Sequence, residues 1–232
     1  MNRRCLPWLS TIAIALFLAS CGGETEQAEQ SQVTAVEVEK EVPTPKTIEE
    51  AIARGNIEAV KSFIVADPDA ASTGARPGSP PLHQAILRQK SDIALLLISS
   101  GADVNAVDSS QRTPLHLCVE RDLPDLVAPL AEAGAKPDEK DPAGWTPLHH
   151  TGAKDRVAVA KALLENGADV NIRSELGGTP LHEAAASASP ELVKMLLDAG
   201  VDASIVAEGG SALDIAKEFK NEAAIKLLSE VE

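Results

Sequence analysis

Apolar residues in this chain come in short bursts at helical spacing, and the bursts come in pairs. Val60, Phe63 and Ile64 make one such face, Leu95 to Ile98 the next, then Val159, Leu163 and Leu164, then Leu192, Val193, Leu196 and Leu197. Residues three and four apart share one side of a helix, so each burst predicts a short helix with one buried face. In the middle of the chain a second apolar segment precedes each burst, led by a fixed phrase. It reads Pro80-Pro81-Leu82-His83, Thr113-Pro114-Leu115-His116, Thr146-Pro147-Leu148-His149 and Thr179-Pro180-Leu181-His182, and the leucines are 33 residues apart. A second phrase keeps step: Gly101-Ala102-Asp103-Val104-Asn105, Gly134-Ala135, Gly167-Ala168-Asp169-Val170-Asn171 and Gly200-Val201-Asp202. Units that cannot bury their faces alone must stack.

Local chemistry explains both phrases. Threonine caps the free donors at a helix start, and proline at the first helical position lacks a donor that had no partner there. The glycines supply the left-handed conformation that ends the second helix. A period of 33 built on T-P-L-H and a later L-L-x-x-G-A-D phrase resembles the ankyrin repeat. The resemblance covers roughly residues 47–232 and implies an all-α repeat solenoid of about six helix-turn-helix units with β-turn or hairpin tips. The units run at about 47–77, 78–107, 108–140, 141–173, 174–205 and 206–232.

Three units depart from the pattern. In the first, Ile48-Glu49-Glu50-Ala51 stands at the leucine-histidine position, and in the last Ser211-Ala212-Leu213-Asp214 replaces the phrase; their polar outer faces read as end caps that finish the array. The helix with Leu95 to Ile98 is the richest in apolar residues and is expected to be well buried. In the third unit Gln111 stands where the family turn usually has glycine, Ala131 replaces a leucine, and Pro129 falls inside the second helix. An interior proline costs about 3 kcal/mol, so residues 123–134 are expected to form a short, kinked or locally loose helix.

The first residues read as an address. Arg3 and Arg4 precede an apolar run from Leu9 to Leu18, broken only by Ser10 and Thr11, which is too short to cross a membrane and fits a signal-peptide core over 1–20. Leu18-Ala19-Ser20-Cys21 resembles the lipobox of bacterial lipoproteins, which implies acylation of Cys21; the alternative is an ordinary small-residue cleavage site. Gly22 after the cysteine points, by analogy with Gram-negative sorting, to the outer membrane facing the periplasm. Residues 21–46, rich in Glu and Gln and ending in Pro43 and Pro45, read as a disordered acidic tether.

Composition narrows the chemistry. The chain is 44% hydrophobic yet has three Phe, two Trp and no Tyr, so its core is aliphatic. A net charge of −14 repels phosphate-rich partners and argues against nucleic acid. His83, His116, His149 and His182 share one repeat position, and the resemblance implies a structural bracket to the threonine and the adjacent repeat. Zinc needs ligands converging to about 2 Å, which equivalent atoms of stacked repeats do not do, so no metal is expected. His150 follows the bracket and reads as a solvated side chain. Cys118 stands where the family has buried alanine and reads as an inert thiol. With no phosphate loop and no nucleophile elbow, neither a cofactor nor an enzymatic activity is expected.

What remains is recognition. Ankyrin arrays present a concave face made of turn tips and the exposed side of the first helices. Carried over by position, the tip candidates are Arg76, Ser79, Ser109, Ser110, Arg112, Ala143, Trp145, Glu175 and Leu176, and the helix candidates are Arg88, Glu120, Arg121 and Lys154. Trp145 is either a binding anchor or packs on the next tip. The expectation is a monomeric, non-catalytic scaffold or adaptor that binds a protein partner and is lipid-anchored in the bacterial envelope. The alternative is a periplasmic inhibitor or immunity protein against a toxin or hydrolase.

Overall fold

The computed structural model describes residues 44–73 and 79–231. The expected signal segment, Cys21, nearly all of the tether and Arg76 lie outside the described residues. Within them the helices alternate between two rows. The first row holds α1 (Ile48–Arg54), and the second opens with α2 (Ile57–Ala66), followed by a single-turn helix, α3 (Ala70–Thr73). Then come α4 (Pro81–Leu87) with α5 (Ser91–Ser99), α6 (Pro114–Arg121) with α7 (Val127–Glu132), and α8 (Pro147–Lys154) with α9 (Val157–Glu165). The series ends with α10 (Pro180–Ser187) and α11 (Pro190–Asp198), then α12 (Ala212–Glu218) and α13 (Glu222–Leu228). Each member of the row α1, α4, α6, α8, α10, α12 packs on its neighbours in that row, and the row α2, α5, α7, α9, α11, α13 does the same. A two-residue antiparallel ladder, β1 (Val206–Ala207) with β2 (Gly210–Ser211), forms the last tip.

The core runs between the rows as one aliphatic seam. Leu82, Leu115, Leu148 and Leu181, one per phrase, are buried, as are Leu97, Leu130, Leu163 and Leu196 from the second row. Burying each such side chain stabilises by about 1.5–3 kcal/mol. Two rows of helices separated by so little side chain need small residues where they cross. Ala85, Cys118, Thr151 and Ala184 fill the same position in successive units and are all buried. Desolvation pushes the Cys118 thiol up to about 12, so it packs as an uncharged, unreactive group. The Thr151 hydroxyl donates to the Leu148 carbonyl at 2.7 Å, which removes the cost of burying it.

Two expectations change. Leu97 is fully buried, but Leu95 is 41% exposed, because neighbouring residues on a helix point in different directions. The third unit is short, as expected, and its proline sits where it costs little. A 3₁₀ turn at Pro124–Leu126 delays the start of α7 to Val127. Pro129 therefore falls in the first turn, where its missing donor had no intrahelical acceptor. Leu126, Val127 and Leu130 remain buried in the seam.

The glycine phrase behaves as expected at Gly101, Gly134, Gly167 and Gly200, where φ is 84°, 93°, 90° and 85°. Beside it runs a cross-link not anticipated from the sequence. Ser72, Asn105, Asp138 and Asn171 occupy one repeat position, and each side chain reaches the glycine turn of the next unit. Asn105 donates to the Gly134 carbonyl at 2.9 Å and accepts from the Lys136 N–H at 2.9 Å. Asn171 repeats this with Gly200 at 3.3 Å and Asp202 at 2.7 Å. Asp138 has no donor to offer and only accepts, from the Asp169 N–H at 3.1 Å; burial raises its pKa.

Gly152 lets α8 lie close against α10. A Cβ there would lie 2.7 Å from the Pro180 carbonyl oxygen and 2.9 Å from the Ala184 nitrogen. Helix propensity alone would make Gly152→Ala stabilising by about 1 kcal/mol. Backbone atoms cannot step aside, so overpacking prevails, and the substitution is expected to lower the unfolding free energy by about 1–2 kcal/mol in urea titration. A gain in stability would contradict this packing.

Candidate partner-binding face

The face is built by hydrogen bonds that run from one unit to the tip of the next. Thr113, Thr146 and Thr179 each form a capping box with the histidine three residues on, whose ring takes the place usually filled by Glu. The threonine N–H donates to Nδ1 at 3.2 Å for His116, 3.2 Å for His149 and 3.1 Å for His182. The opposite nitrogen, Nε2, meets a carbonyl of the following tip. His83 reaches Arg112 at 3.0 Å, His116 reaches Trp145 at 3.1 Å, His149 reaches Gly178 at 3.1 Å and His182 reaches Ile205 at 3.1 Å. A carbonyl only accepts and an amide N–H only donates, so the ring must be neutral with its proton on Nε2. Burial lowers the pKa of all four rings, His149 to about 4. In the second unit the bracket is incomplete. Pro80 has neither N–H nor hydroxyl, and the buried His83 Nδ1 has no partner.

Aspartates fold the tips themselves. Asp108 Oδ1 accepts from the Ser110 N–H at 2.8 Å and the Arg112 N–H at 3.0 Å. Asp141 Oδ1 accepts from Ala143 at 2.9 Å and Trp145 at 3.0 Å. Burial opposes both charges, but these bonds, with Arg112 at one and His150 at the other, outweigh it and hold the carboxyls below their ordinary pKa. Neither aspartate was among the candidates. Their spacing of one repeat, from 108 to 141, was the signal that could have found them.

Held this way, the candidates divide. Ser109, Ser110, Ala143, Glu175 and Leu176 stand out in solvent, Leu176 at 60% exposure. Arg88 and Lys154 are exposed, and Ser79 and Arg121 are half-buried. Arg112 and Glu120 are brought together and occupied by each other. The Arg112 guanidinium holds Asp108 Oδ2 at 2.8 Å and Glu120 Oε2 at 3.1 Å. Trp145 is half-buried and makes ring contacts within its own unit. Its ring stacks on His149 at 6.4 Å between centroids and meets His150 edge-on at 5.1 Å. His150 is likewise no free surface residue, since its Nε2 lies 2.7 Å from Asp141 Oδ2.

His116, Asp141 and His150 place one donor atom each within 4.8 Å of one another, a set that could gather round a cation. The donors are already committed. His116 uses Nε2 on the Trp145 carbonyl and Nδ1 on Thr113, so coordination there would break the bracket that holds the tip.

Comparison with known families finds the chain's repeats. The family described as Ankyrin repeats (3 copies) matches residues 48–141 and 123–207. No curated protein matches the chain.

Two outcomes test the bracket. Pro80→Thr would supply both missing partners of His83. Relief of a buried unsatisfied nitrogen is worth about 1–3 kcal/mol, against about 0.4–1 lost with the proline's stiffness, so a net gain of about 1 kcal/mol is expected by chemical denaturation. A histidine pKa lowered by folding means the unfolded chain binds more protons, so this stability is complete above 6.5 and is lost as pH falls from there toward about 4. Asp138 and Glu183, raised by burial, act in the opposite sense as pH falls. The urea midpoint should therefore drop across that window, and a flat profile would contradict the neutral bracket.

Proposed function

Because the chain belongs to the ankyrin-repeat family, we propose that it is a monomeric, non-catalytic protein-interaction module held in a bacterial envelope by lipid on Cys21. Repeats of this family typically serve as scaffolds for binding another protein and carry no chemistry of their own. The observation that supports the reading is the division of the candidate face. Its polar and aromatic side chains close to the backbone are spent on holding the tips, while Ser109, Ser110, Ala143, Glu175 and Leu176 are left exposed on that fixed frame. Rigid display of a few side chains reduces the ordering cost of association.

Attachment rests on the amino-terminal sequence. Among the described residues no helix is long and apolar enough to cross a membrane. Acyl chains on Cys21 would each contribute about 0.8 kcal/mol per buried methylene, enough for stable attachment when more than one is present. Gly22 favours the outer membrane, with the repeats facing the periplasm. An inhibitor of a basic toxin would use an acidic groove. The exposed cations Arg88 and Lys154 on this face favour the adaptor role instead.

Metabolic labelling with an alkyne fatty acid should mark the wild-type chain and leave Cys21→Ser unlabelled; equal labelling would remove the lipid from the account. Cross-linking in intact cells should give one partner that is lost when Ala143→Arg and Leu176→Asp are combined. These side chains touch no bracket, so folding is spared, and the absence of any cross-linked protein would contradict the interaction role.

A further inference from the structure

Three cations occupy one repeat position at the ends of consecutive first-row helices: Arg88 after α4, Arg121 ending α6 and Lys154 ending α8. Among the described residues none of the three has a carboxylate within ion-pair distance, in contrast to Arg112, whose guanidinium is taken by Asp108 and Glu120. Arg88 and Arg121 converge on a hollow of about 300 Å³ completed by Ser79, Gln84 and Leu87. The Arg121 Nε is itself buried and has no hydrogen-bond partner, which leaves the outer nitrogens of the guanidinium to meet a ligand. The half-buried Arg121 has no ion pair among the described residues, so its guanidinium is available for a charge-assisted bond to an incoming carboxylate.

The row is bounded by acids. On the side of α1, Arg88 borders a second hollow lined by Glu49 and Glu50, and on the side of α10 stands Glu183, whose pKa burial raises. The run of cations at this repeat position is thus confined to three consecutive units. Packed helices lie about 8–10 Å apart, and an extended chain advances about 3.3 Å per residue. One unit of the stack thus corresponds to about three residues of an extended peptide.

We propose that this row reads an extended acidic segment of the protein partner, with Asp or Glu at about every third residue opposite Arg88, Arg121 and Lys154. The inference rests on the interaction role above and adds the chemistry of the partner. Nucleic acid presents a denser, continuous charge that three cations one repeat apart do not match.

The test is fluorescence anisotropy with the full chain and short labelled peptides of equal composition. One peptide carries Asp at every third position, a second carries the same Asp residues side by side, a third carries Lys in their place, and a single-stranded oligonucleotide is the fourth probe. The spaced peptide should bind at least about tenfold more tightly than the others, and Arg88→Gln or Arg121→Gln should abolish that preference. Arg121→Lys keeps the charge but loses the planar fork, and should weaken binding several-fold with the unfolding midpoint unchanged. It decides the matter should Arg121→Gln fail to fold. No binding, equal binding of the contiguous or lysine peptide, tighter binding of the oligonucleotide, or unchanged binding by the arginine variants would each overturn the proposal. A cross-linked partner retained by Arg88→Gln with Arg121→Gln would overturn it while leaving the interaction role standing. Spaced-peptide binding with no cross-linked partner would do the reverse.

Discussion

An imidazole held between two units is the constraint on which the rest of this structure depends. Its Nδ1 accepts from the threonine that starts its own helix, and its Nε2 donates to a carbonyl in the tip of the next unit. Each bond is worth only about 0.5–1.5 kcal/mol net, so the aliphatic seam between the helix rows supplies most of the cohesion. The seam, however, is non-directional. It holds helices together without saying where a loop ten residues away must lie. The histidines fix the tips, and the Asn105 and Asn171 amides do the same for the glycine turns at the other end of each unit. Units tied to nearest neighbours alone make a stack whose stability propagates along one dimension.

This arrangement decides which side chains are available to a partner. Arg112 and Trp145 are the residue types most often found as binding anchors, and both are engaged within the fold, one by carboxylates and the other by histidine rings. The side chains left in solvent are chemically plainer: serines, an alanine, Glu175 and Leu176 at the tips, and a row of cations along the first helices. Recognition on such a face comes from their spacing, which the brackets set, more than from any one group.

The helix pairs, the buried leucines, the proline starts and the glycine stops were legible in the sequence, because each rests on local geometry repeated every 33 residues, and the role of the histidines followed from the family resemblance. Pro129 shows where that reading stops. The proline rule holds for a helix of given limits, and the 3₁₀ turn moved the limits. Trp145, His150 and Arg112 show the second gap. Arg112 was a binding candidate, Trp145 either an anchor or a packing residue and His150 a solvated side chain, and the partner of each lies at a tip aspartate or a neighbouring ring whose approach depends on how the turn folds. The Asn105 and Asn171 cross-links were in plain view as part of the second phrase, but a bond between residues 29 apart along the chain needs the rise of the stack before it can be seen.

The most direct measurement is the tautomer of the four bracket histidines by long-range proton–nitrogen NMR at neutral pH. The account predicts that His83, His116, His149 and His182 are all neutral, with the proton on Nε2, and that His83 alone shows an Nδ1 without a hydrogen-bond partner. A proton on Nδ1, or a charged ring, at His116, His149 or His182 would mean that the bond to the next tip is not made, and the account of how the units are joined would fail.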